Sequence, residues 1–440
     1  MSKDLVQKTK NQLIDRILGK KTGTSSKELP PERKSVLAAI PEAYTRFDRL
    51  PGYEQMLVPK AAADRLGLDN PFFKVHEAVA GATSRIDGAE YVNFSSYNYL
   101  GLAGHPDVNG AAKAAIDRYG TSASASRLVA GERPIQRELE HELAQLYGVE
   151  DCVAFVSGHA TNVNTIGYLF GPKDLIIHDS LIHNSVLQGI QLSGAARRSF
   201  AHNDMVVLDQ ILTDIRPQFE RVLIVVEGLY SMDGDIPDLP TLIEIKRRHK
   251  AFLMVDEAHA LGVLGKTGKG IHEHFGVQGK DVDIWMGTLS KTLASCGGYI
   301  AGERALVEHL KYAAPGFVYS VGLSPVLAAA SLEALYVMQR EPERVTSLRT
   351  RGQQLLAKLK EQGINTGFAE GYAIVPIIVG SSIKSVRFSN QLFAKGINVQ
   401  PIVYPAVEEK AARLRFFLST SHSEQNIEFA CQTIMTLMRN

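Results

Sequence analysis

Two neighbouring runs decide the fold: Phe252-Leu253-Met254-Val255-Asp256-Glu257-Ala258-His259 and Ile284-Trp285-Met286-Gly287-Thr288-Leu289-Ser290-Lys291. Each opens on about four apolar residues and stops at groups that an apolar core would not choose. A short apolar run with a polar stop reads as a buried parallel strand, and open α/β sheets take their ligands at the C-terminal ends of such strands. A carboxylate (Asp256), an imidazole (His259) and an amine (Lys291) are thereby expected at one sheet edge. Lys291 follows Asp256 by 35 residues, the length of one strand, a turn or short helix, and the next strand.

Working outward, the same texture recurs. Apolar runs at Val153–Val156, Leu175–Ile177 and Val222–Val226 predict further strands, with Tyr91–Phe94 an earlier one. Segments 132–148 carry Ile135, Leu139, Leu143 and Leu146 at helical spacing before a glycine stop. This alternation builds a mostly parallel α/β sheet. A long helix is expected over 325–345, then strands near 374–379, 397–402 and 414–418 and a closing helix over 423–438. The division that follows is an N-terminal extension (1–60), an arm (61–110), a large domain (111–325) and a smaller α+β domain (326–440). In the extension Val6, Leu13, Ile14, Ile17 and Leu18 share one side of a helical wheel, and residues 19–34 read as a polar linker. That helix is read either as a docking element for a partner or carrier protein or as a solubilising arm packed on its own dimer.

Composition narrows the class. Of 440 residues, 45% are apolar and 22% charged, with a net charge of +1 that gives nucleic acid or an anionic membrane no general attraction. The three cysteines (Cys152, Cys296 and Cys431) are far apart, lack a C-x-x-C pair, and suit a reducing cytoplasm better than a disulfide framework or a zinc site. No stretch approaches the ~20 apolar residues of a membrane span, and no secretory signal is read at the N-terminus. A soluble cytoplasmic protein is expected.

Further strand ends carry polar groups. Ser157-Gly158-His159 follows one strand and opens a helix, a place where backbone N–H groups meet an anion. His178-Asp179-Ser180 and His183 follow another, and Glu227 through Asp235 a third. Each has a bland reading: Lys291 as solvated surface, Asp256 as a helix cap, His183 and His259 as satisfied core histidines. The string Gly265-Lys266-Thr267 lacks the glycine five residues earlier that a phosphate loop needs, since Ala260 stands there. Taken together, an amine, a strand-end carboxylate, an anion cradle and a flat imidazole are what pyridoxal phosphate demands: an amine for its aldehyde, an anion for its ring nitrogen, a helix start for its phosphate and a planar neighbour for its ring.

Seven ordered strings then resemble the α-oxoamine synthases: NFSSYNYLGL (93–102), VSGHATN (156–162), HDSLIHNS (178–185), EGLYSMDGD (227–235), VDEAHALGVLGKTGKG (255–270), GTLSKTLASCGGY (287–299) and ARLRFFLSTSH (412–422). This family, of pyridoxal-phosphate fold type I, spans serine palmitoyltransferases, aminolevulinate synthases, 8-amino-7-oxononanoate synthases and 2-amino-3-ketobutyrate ligases. The resemblance covers about four-fifths of the chain. It implies a homodimer that condenses a small amino acid (serine, alanine or glycine) with an acyl thioester of coenzyme A or a carrier protein, loses carbon dioxide and releases an α-amino ketone. It further implies Lys291 as the Schiff-base lysine, Asp256 at the pyridinium nitrogen and His183 on the ring face. His259 and Ser231 are implied at the phenolic oxygen, Thr288 with Ser157, Gly158 and His159 at the phosphate. Arg415, with Arg413 in reserve, is implied at the substrate carboxylate and Tyr97 beside the substrate. Tyr97 matches the palmitoyltransferase pattern, whereas Met232-Asp233-Gly234-Asp235 matches the oxononanoate and ketobutyrate enzymes. The string Tyr319–Pro325 departs from the family's Ser/Thr-rich one. An aminotransferase or lyase on the same scaffold, and a non-catalytic subunit of a heterodimer, stand as alternatives.

Overall fold

The computed structural model describes residues 40–439. The expected helix over Val6–Leu18 and the linker 19–34 lie outside the described residues. Residues 40–67 belong to a unit of their own, two 3-10 turns followed by the helix Pro51–Arg65, with nearly every side chain exposed.

From Leu68 onward the chain forms a second unit built on three sheets. A hairpin comes first, β1 (Thr83–Ile86) and β2 (Ala89–Asn93). The central sheet follows: β3 (Asp151–Phe155), β4 (Leu175–Asp179), β5 (Ala196–Phe200), β6 (Val222–Glu227), β7 (Phe252–Asp256), β8 (Ile284–Thr288) and β9 (Gly298–Gly302). Its spatial order is β3-β9-β8-β7-β6-β4-β5, and only β9 runs antiparallel to its neighbours. Six strands therefore deliver their C-terminal ends to one edge, and β9 begins there. Alternate residues feed opposite cores: Leu253 and Val255 face one and Met254 the other, as do Val222, Ile224 and Val226 against Leu223 and Val225. Burial on both faces explains why these strands read as unbroken apolar runs.

Two of the sequence expectations need correction. The helix expected over 325–345 ends at Arg340, and a second helix runs Glu343–Glu361. Pro342 forces the break, because its ring disfavours helical geometry at Glu341, which sits at φ −125°, ψ 59°. The single strand expected over 397–402 is two: β11 (Ile397–Asn398) pairs in parallel with β2, while β12 (Gln400–Ile402) joins β10 (Ile374–Ile378) and β13 (Arg413–Phe417) in an antiparallel sheet ordered β10-β13-β12. Asn398 also donates to Asn93 Oδ1 at 3.0 Å, so the C-terminal region closes on the N-terminal hairpin. Among the described residues no helix is long and apolar enough to cross a membrane.

Candidate active site

Each functional side chain arrives at the common edge for a local reason. Ser157 caps the helix Gly158–Leu169, its hydroxyl accepting from Ala160 N at 3.3 Å and its carbonyl from Thr161 N at 2.9 Å. Those two bonds satisfy the third and fourth N–H of the helix. Among the described residues, the N–H groups of Gly158 and His159 have no protein acceptor, which leaves two donors at the positive end of the dipole. Gly158 is required there, because a Cβ would stand 2.8 Å from Thr288 Oγ1. Thr288 ends β8, and its hydroxyl donates to Gly297 O at 3.0 Å.

These residues line a cleft of about 190 Å³ together with Asn162, His183, Ser185, Glu227, Asp256, His259, Ser290, Lys291 and Cys296. A second cavity of about 520 Å³ adjoins it through shared Ser290 and Lys291, and Tyr97 lines that side. Asp256 is buried, with Oδ1 accepting from Ala258 N at 2.9 Å and Oδ2 from Asn162 Nδ2 at 2.9 Å. Glu227 ends β6 on the same rung of the ladder as Asp256. Burial, reinforced by that neighbouring carboxylate, pushes Glu227 up to about 8, so it is mostly protonated at neutral pH. Its Oε1 is buried with no partner among the described residues.

Lys291 sits in the loop between β8 and β9, its Nζ 5.5 Å from the centroid of Tyr97. Burial lowers its pKa against the pull of Asp256 and Glu227, leaving it at about 8, so a free amine is accessible near neutrality. His259 holds Tyr99 Oη at 2.7 Å through Nδ1, and burial keeps its ring neutral. His183 caps the helix Asn184–Ser193 and its ring lies 6.4 Å from that of His159.

The two arginines of β13 differ. Arg413 is consumed in a buried pair with Asp233, Nη1 to Oδ1 at 2.7 Å. Arg415 reaches Ser231 O at 2.9 Å and lies over Phe417, yet it has no carboxylate partner among the described residues, and its Nε is buried without an acceptor. An uncompensated guanidinium held in place is a site for an anion. Ser231 does not line the cleft; its N–H serves Glu227 and its carbonyl serves Arg415.

Residues 89–434 match the family of class I and II aminotransferases. The 8-amino-7-oxononanoate synthase of Thermoanaerobacter pseudethanolicus is 38% identical over 356 residues, covering 81% of this chain and 90% of the relative. That of Symbiobacterium thermophilum is 39% identical over 347 residues, covering 79% and 88%. The chain belongs to the α-oxoamine synthases. Among solved structures, this α-oxoamine synthase is similar to the serine palmitoyltransferase of Sphingomonas wittichii, with a TM-score of 0.84 over 89% of this chain and 98% of that one at 28% identity. The 8-amino-7-oxononanoate synthase of Francisella tularensis gives a TM-score of 0.68 over 79% and 98% at 25% identity. The fold is that of the fold-type-I transferases, and the cofactor is pyridoxal phosphate. The cleft fits that group: two free N–H donors and a glycine at the anion end, a buried carboxylate, and a partly buried amine. The enzyme is an acyltransferase that condenses an amino acid with an acyl thioester and releases carbon dioxide.

Asn162, Ser185 and Tyr99 have no role assigned from the sequence, and Glu227 stands there only as one polar strand end among several. Their signal was present only as position: Asn162 lies one helical turn past Gly158, Ser185 two residues past His183, and Glu227 at the strand end paired with Asp256.

Proposed function

We propose that this α-oxoamine synthase takes a small amino acid (serine, alanine or glycine), binds its carboxylate on Arg415, and acylates its α-carbon from a thioester of coenzyme A or an acyl carrier protein. The observation that carries this reading is Arg415 itself, a guanidinium with no carboxylate partner among the described residues, beside an amine-bearing cleft. Bound pyridoxal phosphate supplies an electron sink for charge developing at the α-carbon. Lys291 would hold its aldehyde, Asp256 its ring nitrogen, His183 its ring face and His259 its phenolic oxygen, while Ser231, expected beside His259, lies off the cleft wall. Thr288 and the N–H groups of Gly158 and His159, behind the Ser157 cap, would hold its phosphate.

The protein's own groups do the rest. Lys291, with a pKa near 8 as the free amine, takes the α-proton at Nζ and later returns one. Asp256 stays hydrogen-bonded at both oxygens, so its orientation is fixed before substrate arrives. Arg415 orients the carboxylate that will depart as carbon dioxide. Tyr97, exposed on the wall of the second cavity, would lie beside the substrate. A homodimer belongs to the same reading, supported by exposed Val129, Val156 and Tyr319, of which Val156 directly precedes Ser157.

The test is an incubation of the reconstituted enzyme with serine, alanine or glycine and a series of acyl thioesters, following free thiol and released carbon dioxide. Thiol release that needs the amino acid supports the proposal and names the substrate. Equal thiol release without any amino acid sinks it.

A further inference from the structure

Asn162 and Ser185 join Asp256 to His183 in one hydrogen-bonded chain along the cleft wall. Asn162 is 1% exposed, and its Nδ2 lies 2.9 Å from Asp256 Oδ2 and 2.9 Å from Ser185 Oγ. A carboxylate oxygen only accepts, so the amide must turn its nitrogen to Asp256, and both of its N–H bonds are then used. Ser185 Oγ already accepts from Asn162. Its own proton goes to His183 Nδ1, 2.7 Å away. The same Nδ1 receives the Ser185 N–H at 3.3 Å as the cap of the helix Asn184–Ser193. A ring nitrogen that takes two donors carries no hydrogen, so the hydrogen of the neutral imidazole is on Nε2.

Helix packing makes the chain possible. Gly189 lies where a Cβ would stand 2.9 Å from Asn162 O, so the helices Asn184–Ser193 and Gly158–Leu169 approach closely enough for Ser185 to meet Asn162. The charged or titratable groups facing His183 are Asp256, Lys291, His159 and Arg415. Only Asp256 favours a charged ring, and one of its oxygens is taken by Asn162.

We propose that Asn162 and Ser185 are positioning residues that hold His183 as its Nε2–H tautomer, so that His183 meets the amino-acid substrate as a hydrogen-bond donor and not as a base. The donor role rests on the amino-acid site proposed above; the tautomer does not. The same chain ties the orientation of Asp256 to that of His183, so one buried amide aligns both side chains.

The experiment is nitrogen NMR of histidine-labelled enzyme, with and without pyridoxal phosphate, the His183 signals being assigned by their loss in His183→Gln. The expected result is a neutral ring bearing its hydrogen on Nε2 at neutral pH. Ser185→Ala should give mixed tautomers, and Ser185→Thr, which keeps the hydroxyl, should restore the wild-type pattern. In Ser185→Ala the KM for the amino acid should rise roughly tenfold with the KM for the thioester unchanged. Should Ser185→Ala misfold, Asn162→Ala reports on the same tautomer. An Nδ1–H ring in the wild type, or a pattern unmoved by either variant, overturns the proposal. A reconstituted wild-type protein without colour would overturn the reading of the cleft instead, leaving the tautomer result standing.

Discussion

Two groups of buried charge occupy the same sheet edge on opposite terms. Beyond β4 and β6, His202 is clamped between Asp179 Oδ1 at 3.0 Å and Asp235 Oδ2 at 2.8 Å, and Asp233 is paired with Arg413. Burial alone would lower His202, but the two carboxylates outweigh it and lift the ring to about 10. Around the ends of β6, β7 and β8, Glu227 is driven up to about 8 and Lys291 down to about 8, and Arg415 of β13 has no carboxylate partner among the described residues. The first cluster pairs each of its cations with a carboxylate and ties the strand ends together, although Asp233 Oδ2 and Asp235 Oδ1 have no partner among the described residues. The second leaves charges uncompensated, which costs stability and is expected where a ligand completes the set. Burial is common to both; whether the cations are paired separates them.

The largest expected effect tests the open cluster. Lys291→Ala should lower turnover by at least about 10³-fold and abolish the absorbance of lysine-bound cofactor; residual colour and near-normal rate would erase the contrast. Asp256→Asn should keep the cofactor but slow α-proton exchange by about 10²-fold, measured by deuterium uptake into the amino acid, since an amide cannot keep the ring nitrogen protonated.

The two arginines of β13 sharpen the comparison within one strand. Arg413→Ala should cost about 3–5 kcal/mol by stranding the buried Asp233, read by denaturant unfolding. Arg415→Ala should leave stability nearly unchanged and raise the amino-acid KM by about 10- to 100-fold over any change for the thioester. Matching stability losses would mean that both arginines are structural.

The smallest effect is one of pH. The folded-state pKa of His202 lies above its ordinary value, so its stabilisation is full below about pH 6.5 and disappears as pH rises through about 10. Lys291 is shifted the other way in the cofactor-free protein, costing stability below about pH 8 and relieving it as pH rises toward 10.5. Thermal melts between pH 7 and 10 should therefore fall more steeply in Lys291→Ala than in the wild type, and less steeply in His202→Gln.

The sheet and the central pair were legible because a parallel strand buried on both faces must be apolar throughout, and a polar stop at its end then stands out. β5 escaped because it is the sheet's edge: Arg197, Arg198 and Ser199 are exposed, and their side chains resemble a loop. β9, with glycines at both ends, carries little strand signal, and Gly287 opposite it is needed because a Cβ there would meet the Tyr299 ring at 2.1 Å. The split at Val399 depends on β2, some three hundred positions earlier, which no local pattern can report. The relay from Asn162 to His183 was hidden for a related reason. It arises where two helices touch, and each residue alone looks like an ordinary polar position.

The antiparallel placement of β9 has a mechanical consequence. Thr288 and Gly298 face each other across the ladder, Leu289 N binds Gly297 O at 2.9 Å, and Thr292 and Ser295 are anchored to Leu261 O and Leu327 O at 2.7 and 2.8 Å. The segment bearing Lys291 is thus pinned at both feet and along its span. Any travel of the ε-nitrogen between two bonding partners must come from its four methylenes swinging like a boom on a fixed mast, which keeps the proton it carries within one arm's length of the carbon that lost it.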